Sequence, residues 1–244
     1  MTNINQYLKK IGVEAKKASR LMARASTQQK NDALTHLIHL LNSKAKTILK
    51  ANEKDVKEAK KNKLDRASID RLIISSKTID SMIKGIKDIV DLKDPIGEIM
   101  HLNTRPSGIQ VGQMRVALGV IGMIYESRPN VTIDAASLSI KSGNAIILRG
   151  GSESIHSNIA LSNLIHEALK KAGLLAEAVQ VIDLTDRSIV KGIIKLNDYI
   201  DVIIPRGGKS LTKMISDEAT VPVDRKSTRL NSSHPSRSRM PSSA

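Results

Sequence analysis

The chain has 244 residues, enough for one large domain or two small ones around a buried core. Apolar residues make up 40% of it, which excludes wholesale disorder, and aromatic residues only 1%, so the core has to be aliphatic. The lack of cysteine excludes disulfide bonds and thiolate metal sites. No apolar run is long enough for a transmembrane helix, and the N-terminus lacks the apolar core of a secretory signal, so we expect a cytoplasmic protein.

The formal net charge of +15 raises the question of a nucleic-acid partner, because lysine and arginine displace counterions from phosphates. The aromatic side chains on which single-stranded bases stack are nearly absent. Lysines also predominate over arginines in the first ninety residues and are spread over helical faces. We therefore interpret the charge as solvated helix surface and predict no nucleic-acid partner.

Residues 1–96 are predicted to be helical. Apolar side chains recur at helical spacing in three segments, 4–22, 34–48 and 79–90. Ser26 and Gln29 have the spacing of a capping box that starts the second helix, and Pro95 stops the last one. His36 and His39 lie one helical turn apart without an apparent third ligand, so no metal site is predicted.

Residues 97–118 are predicted to form a β-hairpin. Residues 98–104 fit one strand, Arg105–Gly108 a turn, and residues 109–116 the returning strand.

Residues 119–223 alternate between strands and helices. The predicted strands are 120–125, 145–148, 179–183 and 201–204. The predicted helices are 131–141, 155–172, 187–195 and a last one that follows Pro205–Gly208 and runs through Ile215. Val221–Val223 looks like the start of another strand. Because short loops join these elements, we predict an α/β fold with a parallel sheet covered by helices on both faces.

Ligands of such sheets bind beyond the carboxyl ends of the strands. Three loops leave those ends: Glu126–Asn130, Arg149–Ser152 and Pro205–Gly208. The last two join an arginine to paired glycines ahead of a helix, which favours anion or nucleotide binding, although paired glycines also occur in ordinary turns. Neither loop matches the phosphate-binding loop or the usual dinucleotide fingerprint.

Three runs resemble one family at matching distances: Arg115–Thr132, then Lys141–Asn144 with Ile147–Gly151, and Val202–Gly208. The family is that of the γ-glutamyl phosphate reductases, also called glutamate-5-semialdehyde dehydrogenases, a branch of the aldehyde dehydrogenase superfamily. The resemblance covers residues 1–223. Ala117 departs from it, since the family usually has proline there.

The resemblance implies a Rossmann-like cofactor domain of the aldehyde dehydrogenase type and NADPH as cofactor. It also implies reduction of L-glutamyl 5-phosphate to glutamate 5-semialdehyde and phosphate, a step of proline biosynthesis, by a homo-oligomer whose hairpin strands serve oligomerisation. In that family a cysteine thiolate attacks the acyl phosphate, and the thioester receives the hydride. Because this chain has no cysteine, we expect a truncated protein that lacks the catalytic domain and is inactive.

Cofactor-binding roles follow for Arg149, Gly150, Gly151, Ser152, Arg206, Gly207 and Gly208. Arg149 would meet the adenosine ribose and its 2′-phosphate, and Ser152 would cap the next helix and reach the ribose. Arg206 and the two glycines after it would form the wall near the cofactor phosphates.

The first loop is expected to bind the substrate through Glu126, Ser127 and Arg128. Arg128 would meet a carboxylate or phosphate bidentately, or pair on the surface. Asn130 is the candidate oxyanion donor by residue type, with helix capping as the rival role.

Residues 224–244 break the pattern: glycine disappears and periodicity ends. A basic disordered tail is one interpretation. We favour another, that the tail resembles the in-frame translation of a sequencing-library adapter and is foreign to the natural protein. Two further functions stay open, a non-catalytic nucleotide-binding module and a basic nucleic-acid-binding protein whose DNA affinity survives deletion of this tail.

Overall fold

The computed structural model describes residues 4–186 and 188–224. The predicted tail lies outside these residues except for Asp224. The helices are α1 (Ile4–Met22), α2 (Thr27–Ser43), α3 (Ala45–Lys61), α4 (Arg66–Leu72), α5 (Ser76–Asp91), α6 (Asn130–Lys141), α7 (Ile155–Lys171), α8 (Ser188–Ile193) and α9 (Lys209–Glu218). The strands are β1 (Ile99–Thr104), β2 (Gln110–Met114), β3 (Val120–Tyr125), β4 (Ala145–Arg149), β5 (Val179–Val181) and β6 (Val202–Arg206).

The helical prediction for the first ninety residues is confirmed, with one correction. The capping box of Ser26 and Gln29 is present at the start of α2. The segment predicted as one helix from 34 to 48 is two, because the backbone leaves the helical conformation at Lys44, with φ −107° and ψ 18°. Apolar spacing continues across this break, so periodicity alone could not reveal it.

The predicted hairpin is also present. β1 and β2 pair antiparallel, with Ile99 opposite Met114 and Thr104 opposite Gln110. Gly108, at φ +83°, closes the turn. Apart from the half-buried Met100, both strands are exposed throughout, so the hairpin stands away from the rest of the described chain.

The parallel sheet has the strand order β5-β4-β3-β6. Val223 continues this order through a parallel bridge to Ile203, as the apolar residues before the tail predicted. The loop predictions at Arg149 and Arg206 need correction. Each is the last residue of its strand, because β4 stays paired with β3 as far as Arg149 and β6 as far as Arg206. After β6, helix α9 begins only at Lys209.

Apolar clusters cover both faces of the sheet. All six residues of β3 are buried, as expected for a central parallel strand. One cluster joins the sheet to α2, α5, α6 and α7, and the other joins it to α1, α8 and α9. Of the helices described, none is long and apolar enough to cross a membrane.

Candidate functional site

The site lies where the sheet changes its direction of winding. From the central strand β3 the chain moves to β4 and β5 on one side and then crosses back to β6 on the other. Ligands of open α/β sheets bind at such a switch point, beyond the carboxyl ends of the strands. Since Tyr125 pairs with Arg206 and Ile124 with Arg149, all three predicted loops leave the same edge.

Two adjoining cavities open at this edge. The first, of about 380 Å³, is lined by Arg71, Glu126, Ser127, Arg128, Val131, Arg206, Gly207 and Gly208. The second, of about 730 Å³, is lined by Ser68, Arg71, Ile124–Ser127, Arg149, Gly151–Glu153, Val190, Lys191, Ser210, Leu211 and Met214. The two share Arg71, Glu126 and Ser127, so together they form one cleft across the switch point.

Glu126 reaches across the first cavity to the start of α9. Its Oε2 accepts a hydrogen bond from the backbone N–H of Gly208 at 3.0 Å. A side chain at Gly207 would collide with this carboxylate, since an added Cβ would lie 2.8 Å from Glu126 Cδ. Free N–H groups at a helix N-terminus can bind anions, and here the carboxylate of Glu126 occupies one of them.

Ser127 turns the chain between the two cavities. It has a positive φ of 34°, a conformation that only a constrained loop imposes on serine. Glu153, just after the second loop, holds it there: Glu153 Oε1 accepts from the backbone N–H of Ser127 at 3.1 Å and from its hydroxyl. The first and second predicted loops are thereby linked directly.

Arg149 is buried at the floor of the second cavity. One guanidinium nitrogen donates to the carbonyl of Gly150 and another to that of Thr185 at 3.2 Å. Gly150 is required by close packing, because an added Cβ would lie 2.4 Å from Nδ2 of Asn158. Arg149 and the next glycine, Gly151, line this cavity.

A buried chain of hydrogen bonds supports the glycine loop from below. The hydroxyl groups of Tyr125 and Thr132 lie 2.7 Å apart, and Thr132 donates to Oδ1 of Asn158 at 2.9 Å. Asn158 Nδ2 donates to Ser154 Oγ at 3.0 Å, and Ser154 donates to the carbonyl of Gly151 at 3.1 Å. Burial raises the pKa of Tyr125 to about 12, so its phenol stays neutral.

Two expected capping roles differ from what is found. Asn130 is the first residue of α6, and its Nδ2 lies 3.3 Å from Oδ2 of Asp134, so it donates within its own helix. Ser152 begins a short 3-10 turn, and its predicted role as the cap of α7 is wrong. The carboxylate of Asp55, from α3, accepts the N–H groups of His156 and Ser157 at 3.0 and 2.8 Å instead.

Sequence reasoning missed Arg71, which lines both cavities. It lies on the short helix α4, more than fifty residues before the first predicted loop, and no pattern in the sequence places it at the site. Lys191, Ser210, Leu211 and Met214 were also missed. Of the parts described, none holds a group of three or more residues suited to bind a metal ion.

Comparison with solved structures identifies relatives of this architecture. The γ-glutamyl phosphate reductase of Thermotoga maritima is 41% identical over 88% of this chain, with a TM-score of 0.86. That of Saccharomyces cerevisiae is 30% identical over 88% of the chain, with a TM-score of 0.82. A probable aldehyde dehydrogenase of Listeria monocytogenes, 19% identical with a TM-score of 0.69, shares the fold. No protein-family model matches the chain.

The chain spans only part of these relatives. It covers 52% of the Thermotoga protein, 54% of the yeast protein and 45% of the Listeria protein. The resemblance inferred from residues 115–132, 141–151 and 202–208 is confirmed, and so is the α/β fold of the aldehyde dehydrogenase type.

Proposed function

Because the chain belongs to the γ-glutamyl phosphate reductase family, we propose that its cleft binds NADPH. The chain spans about half the length of the two members of that family named above. The observation that carries the proposal is the convergence of three polar loops on two adjoining cavities at the switch point. In the complete enzyme this site would serve the reduction of L-glutamyl 5-phosphate to glutamate 5-semialdehyde and phosphate, to which bound NADPH supplies the hydride.

The second cavity suits the adenosine half of the cofactor. Val190 of α8 and Leu211 and Met214 of α9 offer apolar surface for a purine ring. Lys191 and Ser152 lie in the same cavity and offer a cation and a hydroxyl to the ribose and its 2′-phosphate. The burial of Arg149 among carbonyl groups favours a supporting role for it beside these more accessible groups.

The first cavity suits the phosphates. Arg128 and Arg206 supply charge, and the N–H groups at the start of α9 supply donors once Glu126 moves off Gly208. In this proposal Glu126 and Ser127 orient the substrate-facing loop. Asn130 keeps its candidacy as an oxyanion donor, since only one amide hydrogen is engaged by Asp134.

We expect NADPH to bind the chain saturably, and NADPH with L-glutamyl 5-phosphate to give no steady turnover. The second expectation follows because no residue of the 244 is a cysteine, so no thiolate is present to form a thioester. Isothermal titration calorimetry checks binding, and loss of NADPH absorbance checks turnover, with the Thermotoga enzyme as the positive control. Absence of saturable binding contradicts the cofactor proposal, and turnover above the protein-free rate contradicts the proposed inactivity.

The hairpin supports a homo-oligomer of the complete protein. Seven large apolar side chains on and beside it are between 46% and 68% exposed: Ile99, Leu102, Ile109, Val111, Met114, Val116 and Leu118. Exposed apolar side chains grouped beside open strand edges are typical of an association surface. A second copy, which offers the same surface, would cover it isologously.

Replacing the paired residues Ile99 and Met114 by lysine is therefore expected to convert oligomers of the chain to monomers, since two charges would enter the apolar interface. Light scattering coupled to size exclusion measures the mass. Lysine at Val13 and Leu21, which are 48% exposed on α1, is the matched control and should leave the mass unchanged. A monomeric unsubstituted chain at high protein concentration contradicts the role of the hairpin.

A further inference from the structure

Arg71 enters the cleft from a firmly held part of the chain. Asp65 caps α4 by accepting the N–H of Ser68 at 2.7 Å, and Asn52 Nδ2 donates to the carbonyl of Leu72 at 2.9 Å. Leu72 is fully buried. The two ends of α4 are thus fixed, and Arg71, which is exposed, projects from a rigid support to the boundary of the two cavities.

Arg71 is in direct contact with no carboxylate of the described residues, and its charge acts on Asp65 at longer range. Its guanidinium donates to Ser68 Oγ at 3.1 Å, and across residues 4–186 and 188–224 it has no carboxylate partner within 4.0 Å. Arg128 and Arg206 line the same first cavity and have none either. Among the described residues that line the first cavity, Glu126 is the one carboxylate, and it accepts the N–H of Gly208. The cavity therefore carries an excess of positive charge.

We infer that Arg71 is a phosphate-binding residue of this cleft, the third guanidinium of a cradle completed by Arg128 and Arg206. The guanidinium fork matches two oxygens of a phosphate group, and its charge is kept at any physiological pH. The inference rests on the proposed function, which supplies two sources of phosphate: the cofactor and the acyl phosphate. Because Arg71 lines both cavities, it is placed to reach either.

The test compares Arg71→Ala and Arg71→Lys with Arg66→Ala, an exposed arginine of the same helix that lines neither cavity. We expect Arg71→Ala to weaken binding about tenfold or more, as the loss of a charged hydrogen bond does. The affinity of Arg71→Lys should lie between those of Arg71→Ala and the unsubstituted chain, because lysine keeps the charge but lacks the two-pronged guanidinium. Arg66→Ala should bind as the unsubstituted chain does.

Two titrations distinguish the sources. Weaker NADPH binding by Arg71→Ala assigns the residue to the cofactor phosphates. Unchanged NADPH binding with weaker binding of inorganic phosphate to the NADPH complex assigns it to the substrate phosphate. If both ligands bind Arg71→Ala and Arg66→Ala equally well, the inference is overturned while the proposed function stands. If the unsubstituted chain binds neither ligand, the proposed function is overturned and the inference with it. Thermal unfolding checks that each variant is folded. If Arg71→Ala does not fold, the comparison of Arg71→Lys with the unsubstituted chain takes its place.

Discussion

Replacement of Asp94 by alanine is expected to lower the free energy of unfolding by about 3–5 kcal/mol, because it leaves a buried ammonium group without its carboxylate. Lys30 is 1% exposed and lies 2.5 Å from Asp94 Oδ2. Asp94 also accepts the hydroxyl of Thr27 at 2.7 Å and the N–H of Ile96 at 3.0 Å. It thus connects α2 to the segment between α5 and the hairpin. Urea unfolding followed by circular dichroism measures the loss.

Two further variants show whether the buried charge is the cause. Alanine at Asp88, an exposed acidic residue of α5, should change stability by less than about 0.5 kcal/mol. Adding Lys30→Met to Asp94→Ala should recover much of the loss, since an apolar side chain of similar length needs no partner. A double variant as unstable as Asp94→Ala would show that the lost bonds to Thr27 and Ile96 matter more.

The ion pair of Lys30 and Asp94 also predicts that the stability of the protein depends on pH. Burial raises the pKa of Asp94, but hydrogen bonds from Lys30, Thr27 and Ile96 outweigh it and hold the pKa below its ordinary value of 3.8. A carboxyl group whose pKa is lowered by folding stabilises the protein above its unfolded pKa, and this contribution is lost as pH falls through the folded pKa. The difference between the unsubstituted chain and Asp94→Ala should therefore be full at neutral pH and shrink in acid.

The central sheet was predictable from the sequence because its evidence is local. Val120–Tyr125 is an unbroken apolar run, and paired glycines follow two of the later strands. Parallel strands have their carboxyl ends at one edge, so the alternation of elements was enough to bring Glu126, Arg149 and Arg206 to one cleft. The prediction of the site thus needed no knowledge of packing between distant segments.

The remaining features depend on contacts between residues far apart in sequence. The bond from Gly208 to Glu126 spans 82 residues, and that from His156 to Asp55 spans 101. The prediction that Ser152 caps α7 failed for this reason: serine before a helix is a sound local signal, but a carboxylate from α3 already binds the free N–H groups. Arg71 was missed because only the packing of α4 brings it to the cleft.

Asp55 is expected to contribute about 3 kcal/mol or more to stability, because alanine there would leave three donors, two of them buried, without an acceptor. It is 1% exposed. Its Oδ1 accepts the N–H of His156, and its Oδ2 accepts both the N–H of Ser157 and, at 2.5 Å, the hydroxyl of Ser157. Asp55→Asn should be destabilising as well, since its amide nitrogen would face donors. Glu53→Ala, an exposed residue of the same helix, is the matched control and should unfold as the unsubstituted chain does.

Replacement of Asp55 should also affect the proposed cofactor site, because the same hydrogen bonds hold the elements on both sides of the cleft. Asn52 Nδ2 donates to Ser157 Oγ at 3.0 Å and to the end of α4, so one buried cluster joins the start of α7 to the helix that carries Arg71. Ser154, at the N-cap of α7, supports the glycine loop. We therefore expect Asp55→Ala to weaken NADPH binding at a temperature where the variant is still folded. Unchanged affinity in the folded, destabilised variant would show that the cleft keeps its shape without this cap, and that the walls are held by the sheet edge alone.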